Sequence, residues 1–87
     1  MATRRVVVGL AGGVHARPAA ALARLAQGHP TAVTLTSPRG EHADLGHVLG
    51  VMNLDLLEGE EVTLHAEGAG ADALLDELAA VFGSADG

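Results

Sequence analysis

The chain has 87 residues, and a chain of this length cannot divide its core between two folds, so it predicts one small domain over residues 1–87. Hydrophobic residues make up 48% and charged residues 18%, which excludes a disordered tail and leaves a core of Val, Leu and Ala around one aromatic residue, Phe82. The net charge of −6 argues against nucleic acid or an anionic membrane as the main partner.

The hydrophobic pattern predicts seven elements in the order β-α-β-β-α-β-α. Alternating apolar positions are typical of strands, whereas apolar residues three and four apart are typical of helices. The predicted strands cover residues 4–10, 31–37, 41–45 and 60–66, and the predicted helices cover residues 16–27, 46–54 and 69–82. Segment 46–54 suits a buried strand or a short helix, and we take it as a helix because its apolar residues do not alternate. Residues 84–87 are expected to fray.

These elements fit an α+β domain with one four-stranded sheet and three helices. A hairpin around residues 38–40 and helical crossovers between the other strands favour a largely antiparallel sheet with the helices on one face. The predicted inward-facing residues are Val6, Val8, Leu10, Ala19, Leu22, Ala23, Ala26, Val33, Leu35, Val62, Leu64, Ala71, Leu74, Leu75, Leu78 and Phe82.

The segment between the first strand and the first helix carries residue types suited to an anion. We predict His15 as the N-cap residue, which leaves the following N–H groups unpaired near its ring, while Pro18 occupies a first-turn position where its missing donor costs nothing. Such a helix end attracts a phosphate, and Arg17 can add a charge-assisted contact. A neutral ring nitrogen of His15 can act there as a nucleophile. On composition alone, simple capping by His15 and a solvated Arg17 explain the segment slightly better.

A partner-binding face is predicted on the first helix. The side opposite its apolar stripe carries Arg17, Ala20, Arg24 and Gln27. Val48, Leu49 and Met52 can add a neighbouring apolar patch, although residues at this spacing more often belong to a core.

Neither a metal centre nor a serine triad is indicated. The histidines at positions 15, 29, 42, 47 and 65 show no close ligand pairing, and the chain has no cysteine to complete a site or a disulfide. Ser37 and Ser84, the two serines, lack the context of a catalytic elbow. We expect no cofactor and, since cysteine is missing, a reducing compartment.

Charge is divided unevenly along the chain. All five arginines lie within residues 1–40, all eleven acidic residues lie within residues 41–86, and lysine is absent. The division suggests a dipolar molecule that steers toward an acidic protein or a phosphorylated group, but a codon bias toward arginine explains it equally well. No apolar run approaches the roughly 18 residues that span a bilayer, and no cleaved signal is apparent, so we expect a soluble cytoplasmic protein.

Residues 13–20, Gly-Val-His-Ala-Arg-Pro-Ala-Ala, resemble the active-site signature of the HPr family, the histidine-containing phosphocarriers of the bacterial sugar phosphotransferase system. The resemblance spans nearly the whole chain, and residues 48–54 and 58–64 also fall where HPr proteins carry similar segments. It implies an open-faced β-sandwich with antiparallel strand order 1-4-2-3.

The resemblance also implies a chemistry. His15 would accept a phosphoryl group on Nδ1 from phosphorylated enzyme I and pass it to an enzyme IIA component, with Arg17 stabilising the phosphate beside Ala16 and Pro18. The implied docking surface consists of Ala16, Arg17, Ala20, Arg24, Val48, Leu49 and Met52. Such a protein would be a monomeric stoichiometric carrier, with no enzymatic turnover, no nucleic acid partner and no membrane insertion.

Two departures from the family pattern stand out. His47 occupies the position where many Gram-positive HPr proteins carry a regulatory serine, so control by a serine kinase is not expected. The docking face lacks lysine and is poor in arginine, which weakens steering toward enzyme I. Two alternatives stay open: a carrier of a regulatory, nitrogen-linked or dihydroxyacetone kinase route, and an interaction domain in which His15 is only a cap.

Overall fold

Four strands and three helices form in the predicted order, and the computed structural model describes residues 2–83 of the chain. The strands are β1 (Ala2–Val7), β2 (Thr34–Thr36), β3 (His42–Asp44) and β4 (Glu61–Ala66), and the helices are α1 (Ala16–Gln27), α2 (Val48–Met52) and α3 (Ala71–Gly83). The prediction for residues 84–87 lies outside the described residues. None of the helices within residues 2–83 is long and apolar enough to cross a membrane.

The sheet has the order β1-β4-β2-β3, and each neighbouring pair is antiparallel. β4 is central, and its register places Leu64 between Arg4 of β1 and Leu35 of β2. The helices cover one face and leave the other open, which confirms the predicted open-faced β-sandwich and its strand order 1-4-2-3.

The core lies between the sheet and the helices and consists almost entirely of aliphatic side chains. Alternation along β4 buries Val62, Leu64 and Ala66, and these residues form one buried cluster with the apolar stripes of α1 and α3. Phe82, the only aromatic residue, is fully buried near the end of α3. Every predicted inward-facing residue is buried except Val6, which is partly buried against the same core.

Several predicted strand boundaries were wrong. β1 ends at Val7 and not at residue 10, because the Gly9 N–H donates to the Phe82 carbonyl oxygen of α3 at 2.8 Å and so leaves the sheet. Val8 and Leu10 remain buried although they lie outside the strand. β2 and β3 have three residues each, shorter than the predicted 31–37 and 41–45.

The ambiguous segment after β3 forms a helix, as predicted, but α2 covers five residues and not 46–54. The Gly46 N–H donates to Asp44 Oδ1 at 2.8 Å in the turn that precedes the helix. A side chain thus satisfies this backbone donor where the prediction placed the first helical residue.

Candidate functional site

His15 is the N-cap residue of α1, as the sequence predicts. Its backbone is extended, with φ −100° and ψ −169°, and its carbonyl oxygen accepts the Ala19 N–H at 3.0 Å. The His15 side chain makes no capping hydrogen bond, and the residue is exposed. A purely capping role therefore has no support from the geometry, and the imidazole lies in solvent beside the N-terminal end of a 12-residue helix.

The loop that leads into His15 requires two glycines. Gly12 and Gly13 have φ values of +80° and +81°, in the left-handed region that favours glycine. The Gly13 N–H donates to the Leu10 carbonyl oxygen at 2.9 Å, and the Val14 N–H donates to the Leu56 carbonyl oxygen at 3.0 Å. A Cβ at position 13 would overlap that Leu56 oxygen, so the loop lies directly against the backbone that follows α2.

The arginines fall into two groups in the folded chain. Three of them form salt bridges: Arg4 with Asp76 at 2.7 Å, Arg5 with Glu61 at 4.0 Å, and Arg39 with Glu60 at 2.8 Å and Glu41 at 3.4 Å. Arg17 and Arg24 form no salt bridge within residues 2–83, and both are exposed on α1. The two arginines without a salt bridge in this part of the chain therefore both lie on α1, the helix that His15 caps.

The residues implied for docking are largely accessible. Ala16, Ala20 and Arg24 are exposed on α1, and Leu49 on α2 is 73% exposed. Val48 and Met52 are partly buried against the core, so they combine a packing role with some surface. Pro18 is buried and has no N–H group, so within the implied phosphate-binding set it shapes the first turn and does not donate to an anion.

The other histidines and Ser37 lie in separate places. His47 is the exposed N-cap residue of α2, and Ser37 is buried, where its Oγ accepts the N–H groups of Arg39 and Glu41 at 3.2 and 3.1 Å. The remaining contacts are His29 Nε2 to the Glu67 carbonyl oxygen at 2.6 Å, His42 Nδ1 to Thr36 Oγ1 at 2.9 Å and His65 Nδ1 to Thr3 Oγ1 at 3.5 Å. Across residues 2–83 no group of three or more His, Asp or Glu side chains is arranged to hold a metal ion.

One part of the site has no counterpart in the sequence analysis. Arg39 donates through Nη1 to Glu60 and through Nη2 to the Leu54 carbonyl oxygen, while Glu60 accepts the Leu57 N–H at 2.7 Å. The Leu57 N–H, followed by Arg39, lowers the pKa of Glu60 below its ordinary value, and Glu60 raises the pKa of Arg39. Arg39 lies 15 and 21 residues from its partners Leu54 and Glu60, so no local motif signals these contacts.

Comparison with known proteins decides the family. A family model described as "PTS HPr component phosphorylation site" matches residues 2–84. The chain belongs to the HPr family. It is therefore a phosphocarrier of the phosphotransferase system, and the family resemblance drawn from residues 13–20 is confirmed.

The chain is similar to individual phosphocarrier proteins in both sequence and structure. The chain is 40% identical to phosphocarrier protein HPr of Streptomyces coelicolor over 79 residues, which are 91% of this chain and 85% of the relative. It is 33% identical to phosphocarrier protein NPr of Escherichia coli K12 over 72 residues, which are 83% of this chain and 80% of the relative. The crystal structure of HPr from Bacillus anthracis matches with a TM-score of 0.85 at 30% identity, covering 93% of this chain and 95% of that one.

Proposed function

We propose that His15 is the residue that carries the phosphoryl group, which it receives from phosphorylated enzyme I and donates to an enzyme IIA component. The observation that supports this most directly is the exposed His15 imidazole at the N-terminus of α1, with no capping hydrogen bond of its own. An acceptor that must meet two different partners in turn has to be reachable from solvent, and this ring is.

The transfer is a displacement at phosphorus between two imidazoles. The lone pair of His15 Nδ1 attacks the phosphorus of the donor phosphohistidine, an N–P bond forms to Nδ1, and the N–P bond to the donor ring breaks. The bonding electrons return to the donor nitrogen. Transfer to enzyme IIA repeats the step with His15 as the leaving group.

The surroundings of His15 favour the charge that arrives. The backbone N–H groups of Ala16 and Arg17 belong to the first turn of α1, where they have no intrahelical acceptor and attract an anion. A helix terminus contributes about 0.3–1 kcal/mol to such an interaction. The Arg17 guanidinium forms no salt bridge with an acidic side chain of residues 2–83, and it adds a charge-assisted donor. Modest stabilisation suits a carrier, because the phosphoryl group must leave as readily as it binds.

Both partners dock on the same face in this proposal. The exposed residues Ala16, Ala20 and Arg24 of α1 and Leu49 of α2 provide small, basic and apolar contacts around His15. A transient complex with an interface below about 1,200 Å² suits rapid exchange of partners. We further propose that the carrier acts as a monomer. We also propose that it acts in the cytoplasm, because a chain without cysteine is suited to a reducing compartment.

The test is phosphorylation with purified enzyme I and phosphoenolpyruvate. We expect the mass of one phosphoryl group on His15, lost in acid and stable in alkali, and no gain in His15→Ala. A gain that persists in His15→Ala would refute the assignment, and a wild-type chain that never gains the group would favour an interaction domain instead.

Two arginine variants separate chemistry from docking. Arg17→Ala is expected to lower kcat for transfer from enzyme I, whereas Arg24→Ala, seven residues further along the same helix face, is expected mainly to raise KM. Circular dichroism controls for the fold. If Arg17→Ala loses its helical signal, the arginine is structural and its assigned role is wrong.

A nitrogen-linked phosphotransferase is the second candidate, and the 33% identity to NPr favours keeping it. The two branches differ in the enzyme I that supplies the phosphoryl group. Parallel assays with the sugar-type and the nitrogen-type enzyme I measure kcat/KM for each, and the larger value assigns the branch.

A further inference from the structure

The loop before His15 lies against the segment Leu54–Leu57, which we call the bracing segment. Its Leu56 carbonyl oxygen accepts the N–H of Val14, the residue immediately before His15, at 3.0 Å. Gly13 lies so close to the same carbonyl that no side chain fits between them. A shift of Leu56 must therefore displace the backbone that presents His15.

The bracing segment does not hold its own conformation through regular secondary structure. It follows α2 and precedes β4 without belonging to either, and Asp55 within it has φ +51°, a left-handed conformation that costs free energy in a residue other than glycine. The buried side chains of Leu54 and Leu56 anchor the segment to the core. At its two ends the Leu54 N–H donates to the Val51 carbonyl oxygen and the Leu57 carbonyl oxygen accepts the Glu60 N–H, both at 3.1 Å, so the Leu54 carbonyl oxygen and the Leu57 N–H are the end groups that need other partners.

One ion pair satisfies both ends. Arg39, in the turn between β2 and β3, donates through Nη2 to the Leu54 carbonyl oxygen at 2.5 Å. Glu60 accepts the Leu57 N–H on Oε1 at 2.7 Å, and its other oxygen accepts Arg39 Nη1 at 2.8 Å. An isolated pair on the surface contributes little to stability, but this pair also makes a charge-assisted hydrogen bond to the backbone at each end of the segment.

We propose that Arg39 and Glu60 are positioning residues for phosphoryl transfer: by fixing the ends of the bracing segment they fix the Leu56 carbonyl, the Val14 amide and hence the placement of His15. The part of this inference that concerns transfer rests on the function proposed above. The reaction needs the attacking nitrogen held at a defined distance and angle from phosphorus, so a looser loop lowers the rate even when docking is intact.

The test combines a structural and a kinetic measurement on Arg39→Met, which keeps the apolar stem and removes the guanidinium. We expect hydrogen exchange of the Val14 amide to accelerate about fivefold relative to that of Leu22 in the core of α1. We expect kcat for transfer from enzyme I to fall about three- to tenfold with KM unchanged, because the docking face of α1 is untouched. Glu60→Gln should have a smaller effect than Glu60→Ala, since the amide oxygen still accepts the Leu57 N–H.

Glu61→Gln is the matched control. It removes the neighbouring carboxylate and its 4.0 Å ion pair with Arg5 on the open face of the sheet, without touching the bracing segment. The exchange ratio of Val14 to Leu22 and kcat for transfer from enzyme I should both equal the wild-type values.

Two outcomes would overturn the inference. In the first, Val14 and Leu22 accelerate equally in Arg39→Met, which makes Arg39 a general stabiliser. In the second, Val14 accelerates selectively but kcat does not change. A wild-type protein that takes no phosphoryl group on His15 refutes the proposed function, while the exchange ratio of Val14 to Leu22 still decides whether the ion pair holds the loop.

Discussion

Replacing Gly13 by alanine tests the way in which the loop before His15 is built. Gly13 has φ +81°, and a Cβ there would overlap the Leu56 carbonyl oxygen. The left-handed conformation costs an L-residue about 1–2 kcal/mol. Relieving the overlap separates the two backbones and weakens the Val14 N–H bond to Leu56, which adds about 1 kcal/mol. We therefore expect Gly13→Ala to lower the free energy of unfolding by about 2–3 kcal/mol and to slow phosphorylation of His15.

Gly12→Ala is the matched control for this prediction. Gly12 has nearly the same φ, +80°, but a Cβ there meets nothing within 4 Å. The Gly12→Ala variant therefore has only the conformational cost of the left-handed backbone. Urea unfolding should show free energies of unfolding for the two variants that differ by about 1 kcal/mol or more. For a domain of this size that difference is about 4–8 °C in Tm. Equal destabilisation of the two variants would show that Leu56 yields freely and does not hold the loop.

Three further predictions follow from burial and charge. Phe82→Ala, which empties the site of the only aromatic side chain, should lower the free energy of unfolding by about 3–5 kcal/mol in urea titrations, and a loss below 1 kcal/mol would contradict the packing. Leu49→Ala should change that free energy by less than about 0.5 kcal/mol while raising KM for enzyme I, since the side chain is 73% exposed; an unchanged KM would remove Leu49 from the docking face. Because contacts in the folded state lower the pKa of Glu60 from 4.5, its stabilising contribution is present above that value and is lost as pH falls through the lowered pKa. The stability difference between wild type and Glu60→Gln should therefore shrink on acidification, and a difference that is constant with pH would contradict this assignment.

The charge distribution in the folded chain differs from the one along the sequence. Along the sequence, basic and acidic residues occupy separate parts, which suggests a molecular dipole. In the structure, Arg4, Arg5 and Arg39 pair with acidic residues from the later part of the chain. Local pairing leaves Arg17 and Arg24 as the arginines outside any salt bridge of residues 2–83, and both lie on the exposed side of α1. Steering of an acidic partner therefore depends on these two residues more than on the overall division of charge.

The order of elements, the buried faces of α1 and α3 and the placement of His15 at an N-cap follow from the sequence alone. Each depends on spacing between residues close together in the chain, which helical and extended backbone geometry translates directly into a shared face. Strand ends were predicted less well. Gly9 leaves the sheet to bond to Phe82, a residue 73 positions away, and alternation of side chains carries no information about that contact.

Only the tertiary structure decided what supports His15. The bracing segment contacts Gly13 and Val14 from more than 40 residues away in the chain. Arg39 bonds to this segment from the turn between β2 and β3. These contacts involve backbone carbonyl and N–H groups, which every residue possesses, so residue type does not reveal which of them will pair. The motif around His15 indicates which reaction the residue carries out, while contacts with backbone distant in the chain determine how firmly the backbone of His15 is held in place.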